Sequence, residues 1–157
     1  MSTISNEEME IFGKVARIIS ENFGGESIKD SIKPEDKKRK TIQKDEKKVT
    51  EILTNLGIPR NVDGFFFLRA AICYCIEDER LLKAITKKLY PKIAKKFETT
   101  SSKVERAIRY AIGKGCEKGD LEYIQRVFGS TIDGLTGKPT NAQFIAMIVD
   151  EVKLHNL

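Results

Sequence analysis

Apolar residues recur every three or four positions along almost the whole chain, and nowhere do they alternate singly over the length of a half-buried strand. That period is the helical one, so the expected fold is all-α, with no sheet in its core. At 157 residues and 40% hydrophobic content, the chain has material for one buried core plus an appendage. The first helix is expected over residues 6–22, with Asn6 as its N-cap and Gly24-Gly25 as its stop. Met9, Phe12, Ala16, Ile19 and Phe23 fall on it at spacings of three and four. Such a stripe packs either on the chain's own core or against a second copy or partner helix. From Gly24 to Lys48 the composition turns polar, with Pro34-Glu35-Asp36-Lys37-Lys38-Arg39-Lys40 at its centre, which reads as a solvated linker. The expected organisation is thus an amphipathic N-terminal helix over 1–23, a charged linker over 24–48 and a compact helical domain over 49–157.

Within that domain Ile52, Leu53 and Leu56 form a short apolar face. It stops at Gly57-Ile58-Pro59, because proline disfavours helical geometry in the residue before it and has no amide to donate. A helix opening after Asp63-Gly64 and running through Phe65, Phe67, Leu68, Ala71 and Ile72 to about Ile76 is apolar on most sides and is expected at the centre of the core. Glu77, Asp78 and Glu79 are placed to cap a following helix, Leu81 to Leu89. Leu81, Leu82, Ile85 and Leu89 face inward on it. Thr140 and Gln143 have capping-box spacing for a last helix whose Phe144, Ile145, Ile148, Val149 and Val152 close the core.

Charge is distributed unevenly. Between Lys83 and Lys118, 36 residues carry eleven basic and only three acidic side chains, about +8, while the whole chain is +5. A local excess of this kind raises the local concentration and on-rate of a polyanion, so nucleic acid is the first partner to consider. In the same segment Pro91 suits a first helical turn, and Ile93, Ala94 and Phe97 give a short helix one apolar side. Glu98 to Ser101 make a polar turn, and Ser102 with Glu105 has capping-box spacing for a longer helix. Val104, Ala107, Ile108, Ala111 and Ile112 are its stripe, and two helices joined by such a turn form a helix-turn-helix. Ser102, Glu105, Arg106, Arg109, Tyr110 and Gly113 occupy the outward arc, with Lys103 at its edge.

That arc suits a major groove. Arginine bonds both acceptors of guanine, and a carboxylate accepts from the amino group of cytosine, so Glu105 beside Arg106 and Arg109 favours a site holding G and C. Lys92, Lys95, Lys96, Tyr110 and Lys114 are placed to meet phosphates, which position a protein without choosing sequence. A solvated basic helix pair without nucleic-acid contact fits the same pattern. Other chemistries lack material. Cys73 and Cys75 point about 200° apart on a helix and are read, with Cys116, as free thiols. The one histidine is His155, and no nucleophile, base and metal-ligand residues cluster, so neither an enzyme nor a metal or cofactor site is expected. The densest apolar stretch, Phe65 to Ile76, is broken by Arg69 and too short for a bilayer, and no signal pattern opens the chain, so the expected location is cytoplasmic. The aromatic residues lie in apolar stripes rather than on a stacking platform, which argues for a DNA duplex over RNA.

From about Val49 to Leu154 the chain resembles the DNA-binding effector-domain family of stage-zero sporulation protein A, the master response regulator of endospore formation. The similar segments are Gly64-Phe65-Phe66-Phe67-Leu68-Arg69 with Ala71-Ile72, the run from Ile85 to Phe97, the run from Thr99 to Arg109, Lys138-Pro139-Thr140-Asn141, and Phe144-Ile145-Ala146-Met147. The resemblance implies a compact bundle of about six helices. It implies binding to tandem boxes close to TGTCGAA and control of transcription from them. It assigns base reading to Glu105, Arg106 and Arg109, with Lys103 where the family commonly has arginine. Ser102 joins the phosphate contacts, and Tyr110 stands where histidine is usual. The segment Gly119 to Gly129 is similar to the family's contact with the sigma subunit of RNA polymerase. Leu121, Ile124 and Phe128 read as its buried side, and Glu122, Gln125 and Arg126 read either as the polymerase contact or as a solvated face.

Members of the family carry an N-terminal receiver domain, an α/β fold of about 120 residues, and the 48 residues before Val49 are too few for one. Phosphorelay control is therefore not expected here. The helix over 6–22 is expected to replace the receiver by pairing two copies, or a copy and a partner, through residues 6–23, or to mask the DNA-facing helix. An alternative function is a receiver-less interaction protein that antagonises a full-length regulator by pairing with it or occupying its sites. Gly113 and Gly115 each cost about 1 kcal/mol against alanine in a helix, so the last turn of the DNA-facing helix is expected to fray or to tighten close to DNA.

Overall fold

The computed structural model describes residues 33–129 and 137–156, together with Ser5, Asn6, Glu7, Glu10 and Lys14. The chain divides between Lys40 and Thr41. Before that division, Asn6, Glu7, Glu10 and Lys14 are helical and exposed. The expected stripe Met9, Phe12, Ala16, Ile19 and Phe23 lies outside the described residues.

The described residues contain six α-helices and no strand: α1 Pro34–Asn55, α2 Asp63–Glu77, α3 Tyr90–Lys96, α4 Ser101–Lys118, α5 Leu121–Phe128 and α6 Asn141–His155. α1 corrects the expectation of a linker reaching residue 48, because the helix already begins at Pro34. Glu35 and Asp36 in its first turn complement the positive end of the helix dipole. Its residues up to Lys44 are exposed, apart from half-buried Ile42, as their polar composition requires. From there Asp45, Val49, Ile52 and Leu53 are buried at the i, i+4, i+7, i+8 spacing of one helical face. Asp45 is satisfied across the fold, accepting from Asn156 Nδ2 at 3.0 Å. The helix ends where Gly57 adopts φ +79°, and Ile58 N donates back to Leu53 O at 3.0 Å in a left-handed cap.

α2 is the central helix, with Gly64, Phe65, Phe67, Leu68, Ala70, Ala71, Ile72 and Cys75 all buried. It meets α4 at a close crossing. A Cβ on Gly64 would lie 2.2 Å from the carbonyl oxygen of Ala107 and 2.7 Å from Ala111 Cβ, so only glycine permits that approach. The single helix expected over Leu81–Leu89 is instead two short turns. Asp78 accepts from Arg80 N at 3.1 Å and opens a 3₁₀ turn, Glu79–Lys83. A π-helical turn, Ile85–Leu89, follows, marked by Leu89 N donating to Ala84 O at 3.2 Å, and runs straight into α3. Pro91 has no amide with which to continue an α-ladder back to Lys87, which accounts for the irregular entry.

The last turns of α4 are corrected too, since the helix continues to Lys118. Gly115 is buried there, where an added Cβ would stand 2.5 Å from Ile58 Cδ1 and 3.0 Å from Leu56 O. The glycine admits the turn after α1, and the helix tail is held rather than frayed. Asp120 caps α5, its carboxylate accepting from Glu122 N at 2.9 Å, and the helix buries Ile124, Val127 and Phe128; the side chain of Leu121, expected on the same face, lies outside the described residues. α6 carries the expected capping box, with Gln143 N donating to Thr140 Oγ1 at 3.1 Å and Gln143 Oε1 accepting from Thr140 N at 3.0 Å. Phe144, Ile145, Ile148, Val149 and Val152 of α6 are buried as expected.

Candidate nucleic-acid interface

α3 and α4 are the two helices of the helix-turn-helix. Glu98 adopts φ +53° in the turn between them, and Thr99 N donates to Ala94 O at 2.9 Å. The cap of α4 is Thr100, not Ser102. Thr100 has an extended backbone (ψ 153°), and its hydroxyl accepts from Lys103 N at 3.3 Å. Glu105 does not reach back to complete a box with Ser102, because its carboxylate is engaged one turn ahead, accepting from Arg109 Nη2. That ion pair is an i, i+4 neighbour pair on the helix surface.

The inner side of α4 is closed. Val104, Ile108 and Ala111 have no exposed surface, Ile112 is buried and Ala107 is half-buried. The outer side carries Ser102, Lys103, Arg106, Arg109 and Tyr110, all exposed, with Glu105 half-buried. Two grooves flank this ridge. Lys103, Arg106, Ala107 and Tyr110 line one of them with the start of α2, at Val62, Asp63, Gly64 and Phe67. Glu105 and Arg109 line the other with Thr86, Tyr90 and the stretch Lys138–Ala142 at the start of α6. Thus the base-reading residues expected from the sequence lie on one exposed ridge, with Lys103 and Arg106 toward one groove and Glu105 and Arg109 toward the other.

The expected phosphate contacts divide differently. Lys92, Lys95 and Lys96 are all exposed on α3. Lys92 and Lys96, however, lean over the ring of Tyr74 in α2, with their ammonium groups 4.3 and 5.6 Å from its centroid. Among the described residues Lys95 makes no such contact. Lys114 lies 5.6 Å from the centroid of the Tyr110 ring and 3.4 Å from Glu117 Oε2, so part of its charge is offset within the helix. Lys138, 3.9 Å from the other oxygen of Glu117, adds a cation at this end of α4. On α5, Glu122, Gln125 and Arg126 are exposed as expected, and Arg126 lies 4.8 Å over the Tyr123 ring. Asp120, Glu122, Tyr123 and Arg126 line a shallow groove there, and Gln125 stands outside it.

Sequence reasoning missed one element of the site. Asn141, the first residue of α6, donates from Nδ2 to Tyr90 Oη at 3.1 Å and to the backbone carbonyl of Glu105 at 3.1 Å. Burial pushes the Tyr90 phenol above its ordinary pKa, against the opposing hydrogen bond from Asn141, so it stays protonated. The contact spans 51 residues to Tyr90 and 36 to Glu105, and no periodicity or spacing signals it. The thiols lie apart from the ridge. Burial, then Glu46 and Asp45, push Cys73 up to about 12, and burial together with Asp78 pushes Cys75 up to about 11, so neither is a thiolate near neutral pH. Among the described residues no group of three or more His, Cys, Asp or Glu side chains is placed to hold a metal, and no helix is long and apolar enough to cross a membrane.

Residues 49–152 match the family model described as the C-terminal domain of the sporulation initiation factor Spo0A. The match spans α2 to α5 whole, with the last turns of α1 and nearly all of α6. It therefore takes in both grooves and the exposed ridge between them. With two thirds of its length inside that match, the chain belongs to the Spo0A C-terminal family, the DNA-binding domain of a regulator of sporulation.

Proposed function

We propose that this chain is a sequence-specific regulator of transcription, acting in the cytoplasm, that reads a duplex box close to TGTCGAA by laying α4 in the major groove. One observation carries the reading. The exposed ridge of α4 presents Lys103, Arg106 and Arg109 from a helix whose opposite side is packed on the core. A helix seated this firmly holds its arginines at a fixed height above the core, as bidentate contacts to guanine O6 and N7 demand. Arg106 makes no ion pair among the described residues and is the first reader. Arg109 is shared with Glu105, so on binding it exchanges a carboxylate for a base edge, and the freed carboxylate is left to accept from cytosine. Lys92, Lys95 and Lys96 on α3, and Ser102, Tyr110 and Lys114 on α4, meet phosphates. Glu122, Gln125 and Arg126 on α5 form the surface offered to the sigma subunit of polymerase. Residues 49–157 are the DNA-binding unit.

The test is fluorescence anisotropy of a labelled duplex with two tandem TGTCGAA-like boxes against a scrambled duplex, at two salt concentrations. The expected result is a preference of about a thousandfold or more, with a steep salt slope. Equal and equally salt-sensitive binding to both would remove base reading from the proposal and leave a non-specific polyanion binder.

A further inference from the structure

We infer that Asn141 is a positioning residue for base reading: its side-chain amide fixes the rotation of α4 and so sets where Arg106 and Arg109 meet the duplex. The inference rests on the DNA-binding reading above. Its basis is a junction of three helices at one side chain. Nδ2 of Asn141 donates to the hydroxyl of Tyr90, the first residue of α3, and to the carbonyl of Glu105, in the second turn of α4, both at 3.1 Å.

Each partner is held independently. Tyr90 is 4% exposed, so its ring cannot swing away from the core. Asn141 itself is set by the capping box of α6, in which Thr140 and Gln143 bond each other's backbone amides. Thr140 holds the extended geometry of an N-cap (ψ 160°), and the buried Pro139 anchors the chain just before it. The donor is thus aimed by a rigid element, and the acceptor that matters is a carbonyl inside a helix.

A carbonyl in a helix interior already accepts the amide four residues on. A second bond to it from outside the helix adds little to helix formation. It does specify how that helix is turned relative to its neighbours. The residue so gripped is Glu105, whose side chain holds Arg109, and Arg106 follows it directly. Rotation of α4 about its axis sweeps the guanidinium groups sideways, and bidentate contact to a base edge tolerates little of that. Phosphate contacts from flexible lysines tolerate much more.

Removal of the grip should therefore cost sequence discrimination and spare charge-driven binding. The experiment measures affinity of the full chain for the tandem-box duplex and for the scrambled duplex, with wild type, Asn141→Ala and Tyr90→Phe. Active concentrations are matched by titration and thermal unfolding is recorded beside them. Asn141→Ala is expected to weaken box binding tenfold or more while scrambled-duplex affinity and salt slope stay within twofold. Tyr90→Phe keeps the ring in the core and removes only the hydroxyl acceptor, so a smaller loss of about threefold is expected, again confined to the box. In the double variant the loss should not exceed that of Asn141→Ala alone, because both act through one amide.

A purely structural role for Asn141 predicts something else: box and scrambled affinities fall together, in step with a lowered midpoint. That outcome, or an unchanged box-to-scrambled ratio in Asn141→Ala, would overturn the inference. If Asn141→Ala does not fold, an unchanged ratio in Tyr90→Phe does the same. A wild-type chain with no box preference would instead overturn the DNA reading itself, and this inference with it.

Discussion

The two sides of α4 obey different physics. On the inner side Val104, Ile108 and Ala111 have no exposed surface, and the helix passes so close to α2 that Gly64 cannot carry a side chain. On the outer side Lys103, Arg106, Arg109 and Tyr110 stand in solvent, and Glu105 and Arg109 form an ion pair that is more than a third exposed on both partners. Packing fixes the inner side to within a fraction of an ångström, while charge governs the outer side over several. A methyl group is therefore a large perturbation on one side and a small one on the other, and a charge behaves in the opposite way.

The largest expected effect is a methyl on the inner side. In Gly64→Ala the new Cβ meets backbone, the Ala107 oxygen, at 2.2 Å, and no flexible side chain is there to yield. α2 and α4 must separate along their crossing. The expected loss is about 3 kcal/mol, read as a lower urea midpoint. A midpoint within 0.5 M of wild type would mean that the crossing has room, and the sharp contrast between the two sides would go.

That asymmetry also explains what the sequence discloses. The stripe Val104, Ala107, Ile108, Ala111, Ile112 is legible because burial imposes a period, and all five lie on the inner side, with Ala107 half-exposed. The exposed arginines are legible as its complement. Features set by contacts distant in sequence are not. Ser102-Glu105 has the spacing of a capping box, yet α4 already begins at Ser101, so Thr100 caps it and Glu105 pairs with Arg109 instead. Gly115 has the look of a weak helix end and is instead where Leu56 and Ile58 cross. Polar residues 34–44 lack the apolar anchors that signal a helix, but they extend one whose buried face begins at Asp45. The grip of Asn141 on Glu105 depends wholly on chain topology.

On the outer side the comparison is sharpened by charge. Arg106→Ala is expected to cost about 2 kcal/mol of affinity for the box and to relax base preference, with the urea midpoint unmoved. Equal loss for box and scrambled duplexes would show Arg106 to be a phosphate contact. Lys95→Ala should weaken both duplexes alike and lower the salt slope by about one. Lys95 is chosen because Lys92 and Lys96 also lie against Tyr74, where truncation removes packing along with charge. A loss confined to the box would transfer Lys95 to the readers.

The smallest expected effect repeats the glycine-to-alanine change on the outer side of α4 itself. Gly113 belongs to the outward arc of α4, and a Cβ there would meet only the ammonium of Lys138, at 3.5 Å. This is ordinary contact with the far end of a flexible side chain, so no strain opposes the gain from replacing a mid-helix glycine. Gly113→Ala should therefore raise stability by about 1 kcal/mol, the helix-propensity difference. The same methyl that separates two helices at Gly64 tightens one at Gly113. The variant also locates the end of the DNA contact along α4. If the duplex reaches no further than the turn holding Arg109 and Tyr110, box affinity is unchanged, which is the expected result. A tenfold loss of affinity with the stability gain intact would mean that the backbone at Gly113 lies against the duplex, making the outer side as intolerant of a methyl there as the inner side is at Gly64.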